Sequence, residues 1–134
     1  MILTLPWPPS VNDYWKHVFR GPNAGRVYIA QEGKNYREAV AWAIRAAKIA
    51  PWPQDVPLRV TIAVFVPNRR KRDLDNLGKA VLDSLTHAGV WADDSQIDDL
   101  RYYRVRNPDG SLAIAGMLKV QIEAINSTAG CKTA

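Results

Sequence analysis

Between Leu58 and Val66 every second residue is aliphatic: Leu58, Val60, Ile62, Val64 and Val66, with Arg59, Thr61, Ala63 and Phe65 between them. A period of two is that of a strand with one face on a core, and Pro67 closes it. Directly afterwards the period changes. Leu74, Leu77, Val81, Leu82 and Leu85 follow helical spacing, and Gly89 stands where a left-handed C-terminal cap belongs. A half-apolar strand joined to a helix with an apolar stripe predicts a sheet covered by helices.

The rest of the chain extends that frame. The apolar run at residues 1–5 is stopped by Pro6-Trp7-Pro8-Pro9, three of which lack an amide proton. Residues 12–25 show no period and are expected to form an exposed loop. Tyr36, Val40, Ala43, Ile44 and Ala47 mark an amphipathic helix between Ala30 and Ala50, ended by Pro51-Trp52-Pro53. Residues 96–106 and 111–124 are strands joined by Asn107-Pro108-Asp109-Gly110, a turn signal that predicts a hairpin. The predicted fold is α+β: a mixed four-stranded sheet with two main helices, in the order strand, helix, strand, helix, strand, strand. Residues 1–125 are expected to form one domain and 126–134 a C-terminal tail.

Composition narrows the class. At 134 residues one core is expected, and 47% hydrophobic with 23% charged residues belongs to a globular chain rather than a disordered or membrane-spanning one. Eighteen Lys and Arg against thirteen Asp and Glu give +5, which favours polyanionic partners without requiring them. The single cysteine, Cys131, excludes an intrachain disulfide and argues against a thiolate cluster. The N-terminus lacks the features of a secretory signal and no apolar run is long enough for a bilayer. A cytoplasmic protein with no membrane partner and no organic cofactor is expected.

Chemistry concentrates in Arg69-Arg70-Lys71-Arg72-Asp73-Leu74-Asp75-Asn76, where the strand gives way to the second helix and the charge changes sign. Two carboxylates two residues apart at a loop-to-helix boundary can converge on one hard cation, and magnesium asks for little more than one or two carboxylates, water and a phosphate oxygen. The competing reading is helix capping, but a cap needs one carboxylate and this segment has two. Lys79 is four residues after Asp75, so it forms a solvated pair with it or offsets charge at a scissile phosphate. Asp93-Asp94 is an exposed acidic turn unless folding brings Asp94 to the other two. Arg69, Arg70, Lys71 and Arg72 are a solvated charge run or phosphate contacts, with Asn76, Lys16 and Arg20 as further candidate DNA contacts. Trp7, Tyr14 and Trp15 belong to the core or a dimer interface, or stack on bases. His17 and His87 are too isolated to be metal ligands; His87 suits a helix C-terminus.

Several separated blocks resemble the RusA family of Holliday junction resolvases, endodeoxyribonucleases often carried by phages and prophages. They are Leu5-Pro6-Trp7-Pro8-Pro9-Ser10 with Asn12 and Tyr14; Ala30-Gln31-Glu32-Gly33 with Tyr36-Arg37; Arg72-Asp73-Leu74-Asp75-Asn76-Leu77 with Lys79; and Asp83, Leu85, Ala88-Gly89-Val90-Trp91 and Asp93-Asp94. The resemblance implies a magnesium-binding site at Asp73, Asp75 and Asp94, a lysine needed for cleavage at Lys79, and a homodimer placing paired incisions across a four-way junction in recombination and repair. Residues 16–25 and the tail after Ile125 depart from the pattern. A junction binder without nuclease activity, and a nuclease with a broader diet of flaps and forks, are the alternatives.

Overall fold

The computed structural model describes residues 1–125, so the tail at 126–134, with Cys131, lies outside the described residues. Six strands and three helices follow one another as β1 (Ile2–Pro6), α1 (Val11–Tyr14), β2 (Trp15–His17), β3 (Val27–Ile29), α2 (Gln31–Ala46), β4 (Leu58–Phe65), α3 (Asp75–His87), β5 (Ile97–Arg104) and β6 (Met117–Ala124). The main sheet has the order β1-β6-β4-β5, and β2 pairs with β3 in a separate two-stranded ribbon. This is the α+β architecture expected, with a mixed sheet: β4 runs parallel to β5 and antiparallel to β6.

The alternation in β4 decides which face the helices cover. Leu58, Val60, Ile62 and Val64 are buried together with Leu3 and Leu5 of β1 and Leu118, Val120 and Ile122 of β6. Tyr36, Val40 and Ile44 of α2 and Leu77, Ala80, Val81 and Leu85 of α3 close the same core. Each fully buried aliphatic chain contributes about 1.5–3 kcal/mol relative to exposure. Within the expected stripe of α2, Ala43 is half-buried and Ala47 exposed, because Ala47 is already the C-cap. The opposite sheet face carries an ionic ladder in which Arg59 Nε donates to Asp99 at 2.8 Å and Arg101 Nη2 meets the same carboxylate at 3.2 Å.

Both long helices end in the same way. After α3, Gly89 adopts φ +84°, its amide donates to Thr86 O at 3.0 Å, and the Val90 amide donates to Leu85 O at 3.2 Å. After α2, Lys48 adopts φ 54°, with Lys48 N bonded to Arg45 O at 3.1 Å and Ile49 N to Ile44 O at 3.3 Å. Both are Schellman caps, but at Lys48 a side chain occupies the left-handed region that costs roughly 1–2 kcal/mol for an L-residue.

The expected hairpin of β5 and β6 is corrected. The turn itself forms, with Gly110 N donating to Asn107 O at 2.9 Å and a single bridge between Arg106 and Leu112. The chain then crosses the end of β4, where the amides of Ala115 and Gly116 donate to Val66 O, and β6 descends on the far side of β4. The reason is the apolar face of β4: flanked on both edges, it stays central in the sheet, whereas a direct β5–β6 hairpin would leave one of its edges unpaired. The loop expected at residues 12–25 is corrected in part. It contains α1 and β2, and the register of Trp15 with Ile29 and His17 with Val27 makes a ribbon too short for a sequence period to reveal.

Candidate active site

Strand β4 delivers the chain to one end of the sheet, and the segment between it and α3 is shaped by Arg72. Its Nη1 donates to Asn68 O and Arg70 O, both at 3.2 Å, and its Nη2 to Asn68 Oδ1 at 2.7 Å. The guanidinium carbon lies 5.5 Å from the centroid of the Trp7 ring. Arg104, the last residue of β5, donates from Nη2 to the Arg72 carbonyl. These contacts pin a loop of three further cations, Arg69, Arg70 and Lys71, all of them exposed. Among the described residues none of those three side chains is in a salt bridge.

The loop walls a cavity of about 850 Å³. Arg69, Arg70, Lys71, Arg72, Asp73 and Asn76 all line it, so folding gathers most of the residues the sequence singles out. Trp7, Arg104, Arg106 and a second acid, Asp13, are among its other lining residues. The two arginines carry no local signal: they become neighbours of the loop only because β5 runs parallel to β4, with Val64 paired to Arg104. Lys16 and Arg20 do not line the cavity; Lys16 lies 4.0 Å from Asp13 and Arg20 is exposed.

Asp73 and Asp75 are exposed at the start of α3. The capping position falls on Leu74 and no side chain caps the helix, so neither carboxylate is consumed by the role that competes with metal binding. Negative charge in the first turn still suits the helix dipole. Lys79 is exposed and forms no salt bridge with Asp75 or any other acid among the described residues. Beside this turn, burial and then the negative charge of Asp75 raise the Tyr102 phenol to about 12. Gly78 makes room for that ring, since a Cβ there would collide with Tyr102 Oη.

Two adjacent aspartates have opposite environments. Asp93 caps a 3₁₀ turn at Asp94–Gln96: Ser95 N donates to Asp93 Oδ1 at 3.2 Å, and Gln96 Oε1 accepts from Ala92 N at 2.9 Å. The backbone bond from Ser95 lowers the Asp93 carboxyl, with Asp94 adding to it. Asp94 is raised, first by its hydrogen bond with Asp93, then by burial and the negative charges of Asp93 and Asp83. This turn packs against α3, which brings Asp94 towards the helix that starts at Asp75. Among the described residues, however, no three His, Cys, Asp or Glu side chains approach closely enough to hold one ion.

Asp83, two turns beyond Asp75, is engaged. Arg37 donates to Asp83 Oδ2 from Nε at 2.9 Å and from Nη2 at 2.7 Å, and Tyr14 Oη donates to the same oxygen. Arg37 Nε also reaches Tyr14 Oη at 3.0 Å. This half-buried knot ties α1, α2 and α3 together. It places Tyr14 in the core, as one of the two readings of that residue held.

Comparison with known proteins decides the family. The family model described as "Endodeoxyribonuclease RusA" matches residues 6–122. The chain belongs to the RusA family. Its relatives include the crossover junction endodeoxyribonuclease RusA of Escherichia coli strain K12, 44% identical over 103 residues covering 77% of this chain and 81% of the relative. The protein of the same name from Enterobacteria phage 82 matches to the same extent, and that of phage HK97 is 44% identical over 111 residues, 82% of this chain and 88% of the relative. A solved structure, the periplasmic domain of Helicobacter pylori MotB, aligns over 98% of this chain and 78% of that chain at 15% identity and a TM-score of 0.43, too low for a shared fold to follow. In this RusA-family chain no described helix is long and apolar enough to cross a membrane.

Proposed function

We propose that this chain is a magnesium-dependent endodeoxyribonuclease that resolves four-way DNA junctions, acting as a homodimer that makes paired, symmetric incisions. The observation that carries the reading is the contrast at one sheet end: carboxylates at Asp73 and Asp75 that cap no helix and, among the described residues, meet no cation, beside a cationic cavity that Asp73 itself lines. The family membership and the names of the relatives point to the same substrate.

The donor set fits a hard divalent ion. Its oxygens are anionic and accessible, and magnesium needs only one or two protein carboxylates when water and phosphate complete its shell. Asp73, Asp75 and Asp94 are the residues that would hold it, and the chemistry it supplies there is Lewis-acid activation of the phosphate and of the attacking water. Arg69, Arg70 and Lys71 hold the DNA backbone by charge. Lys79, one helical turn beyond Asp75 and in no salt bridge among the described residues, is the group to offset charge developing on the phosphate.

A junction binder that does not cut is the second reading, favoured by one observation: the three acidic groups are not gathered at a single point. Purified protein incubated with labelled four-way junction, fork and duplex, with magnesium and with chelator, separates the readings. Symmetric nicks on the junction, appearing with magnesium and absent with chelator, are expected. Junction bound and left intact in magnesium would establish the binder, and equal cutting of forks and flaps would establish a broader diet. Light scattering of the protein alone reads the homodimer directly.

A further inference from the structure

Arg72 is built differently from the three cations before it. The five N–H groups of a guanidinium lie in its plane, and three of them here already serve Asn68 O, Asn68 Oδ1 and Arg70 O, which fixes that plane. Phosphate binds a guanidinium through the same N–H groups. One face is backed by Trp7. Arg72 lines the cavity, and a planar cation held in place beside an aromatic ring is a stacking platform for a nucleobase that enters it. Arg104, which lines the same cavity, holds the backbone of Arg72 by bonding its carbonyl.

The surroundings suit one nucleotide. Pro8, Val66, Leu77 and Leu112 give the cavity apolar walls, and Arg69, Arg70, Lys71 and Arg106 add positive charge. Its volume of about 850 Å³ is in the range of pockets that enclose small ligands, roughly 300–1,000 Å³. In an uninterrupted duplex both faces of each base are covered by neighbours, so the platform selects a base that has left the stack. We propose that this cavity receives one unpaired nucleotide from the branch point, its base stacked on Arg72 and its flanking phosphates on Arg69, Arg70, Lys71 and Arg106. This rests on the reading that the chain acts on branched DNA, and gives that reading a physical means of telling a branch from a duplex.

The test uses a four-way junction carrying 2-aminopurine at the branch point and the same strand in plain duplex, both with wild-type protein in chelator so that nothing is cut. The fluorescence of the junction probe is expected to rise on binding, as its base leaves the DNA stack, while the duplex probe stays dark. Arg72→Lys keeps the charge and removes the plane; whatever the freed loop costs both DNAs alike, junction affinity should fall about tenfold further than duplex affinity, the effect of losing one stacked base. Equal loss on both DNAs would make Arg72 a phosphate contact and overturn the platform. Junction binding with a silent wild-type probe would overturn the pocket alone, whatever the variant's fold. Absence of junction binding would overturn the nuclease reading and the pocket together.

Discussion

Two charged regions flank helix α3, and they use their charges in opposite ways. At Arg37, Asp83 and Tyr14 the side chains bond one another through Asp83 Oδ2 and Tyr14 Oη, the guanidinium and carboxylate are half-buried, and the knot joins three helices. At Asp73, Asp75, Lys79, Arg69, Arg70 and Lys71 the groups are exposed and none is in a salt bridge among the described residues. A charge that is already satisfied holds the fold; a charge kept unsatisfied beside a cavity is available to a ligand. In sequence only Asp75 and Lys79 read as a helix-borne ion pair, and in the structure they form none, whereas Arg37 and Asp83 carried no such mark and are paired.

The sharpest test of this contrast is Asp75→Asn. Loss of a proposed metal ligand should lower junction cleavage more than about 100-fold, beyond the effect of removing a group that merely supports a ligand. Unfolding in urea should change by no more than about 0.5 kcal/mol, and junction binding should persist; joint loss of fold and binding would move Asp75 to the structural side. Arg37→Ala should do the reverse. It leaves Asp83 half-buried without its cation and is expected to lower stability by about 2 kcal/mol, read as a lower urea midpoint at unchanged m-value. A midpoint within error of the parent would break the comparison from the other end.

Smaller effects refine it. Replacing Arg70 and Lys71 together by Ala should reduce the slope of log affinity against log salt by about 1 per side chain, with thermal stability unaltered; an unchanged slope would remove these cations from the DNA path. The ladder on the outer sheet face offers a control. Hydrogen bonds from Arg101 and then Arg59 hold the Asp99 carboxyl below its ordinary value. A depressed folded pKa contributes stability above the unfolded value that is lost as pH falls through the folded one, so Asp99→Asn should flatten the acid limb of stability below about pH 4 and leave cleavage at neutral pH untouched. An acid limb as steep as the parent's would show that Asp99 does not set it.

Some of this was written in local periods. The alternation at Leu58–Val66, the stripe at Leu74–Leu85 and the left-handed position at Gly89 each depend on residues within a turn or a strand of one another, and each stands as expected. Lys48 adopts the same cap geometry as Gly89 and was illegible, because a lysine there carries no mark of the φ its context imposes. The acidic and basic residues at 69–76 were legible as a reversal of charge. Which of them the fold leaves unpaired was not.

The sequence by itself determined the types of the long elements, the face of β4 that meets the helices, and the RusA signature, since these depend on spacing along the chain. Only the tertiary structure decided that β5 runs beside β4 rather than beside β6, which sends Arg104 and Arg106 to the loop that Arg72 pins over Trp7. It also left the carboxylates at the start of α3 without a cation among the described residues, while Asp83 of the same helix met Arg37 of α2. The physical reason is common to both: strand order and the availability of a carboxylate depend on partners distant in sequence, and no local period encodes them.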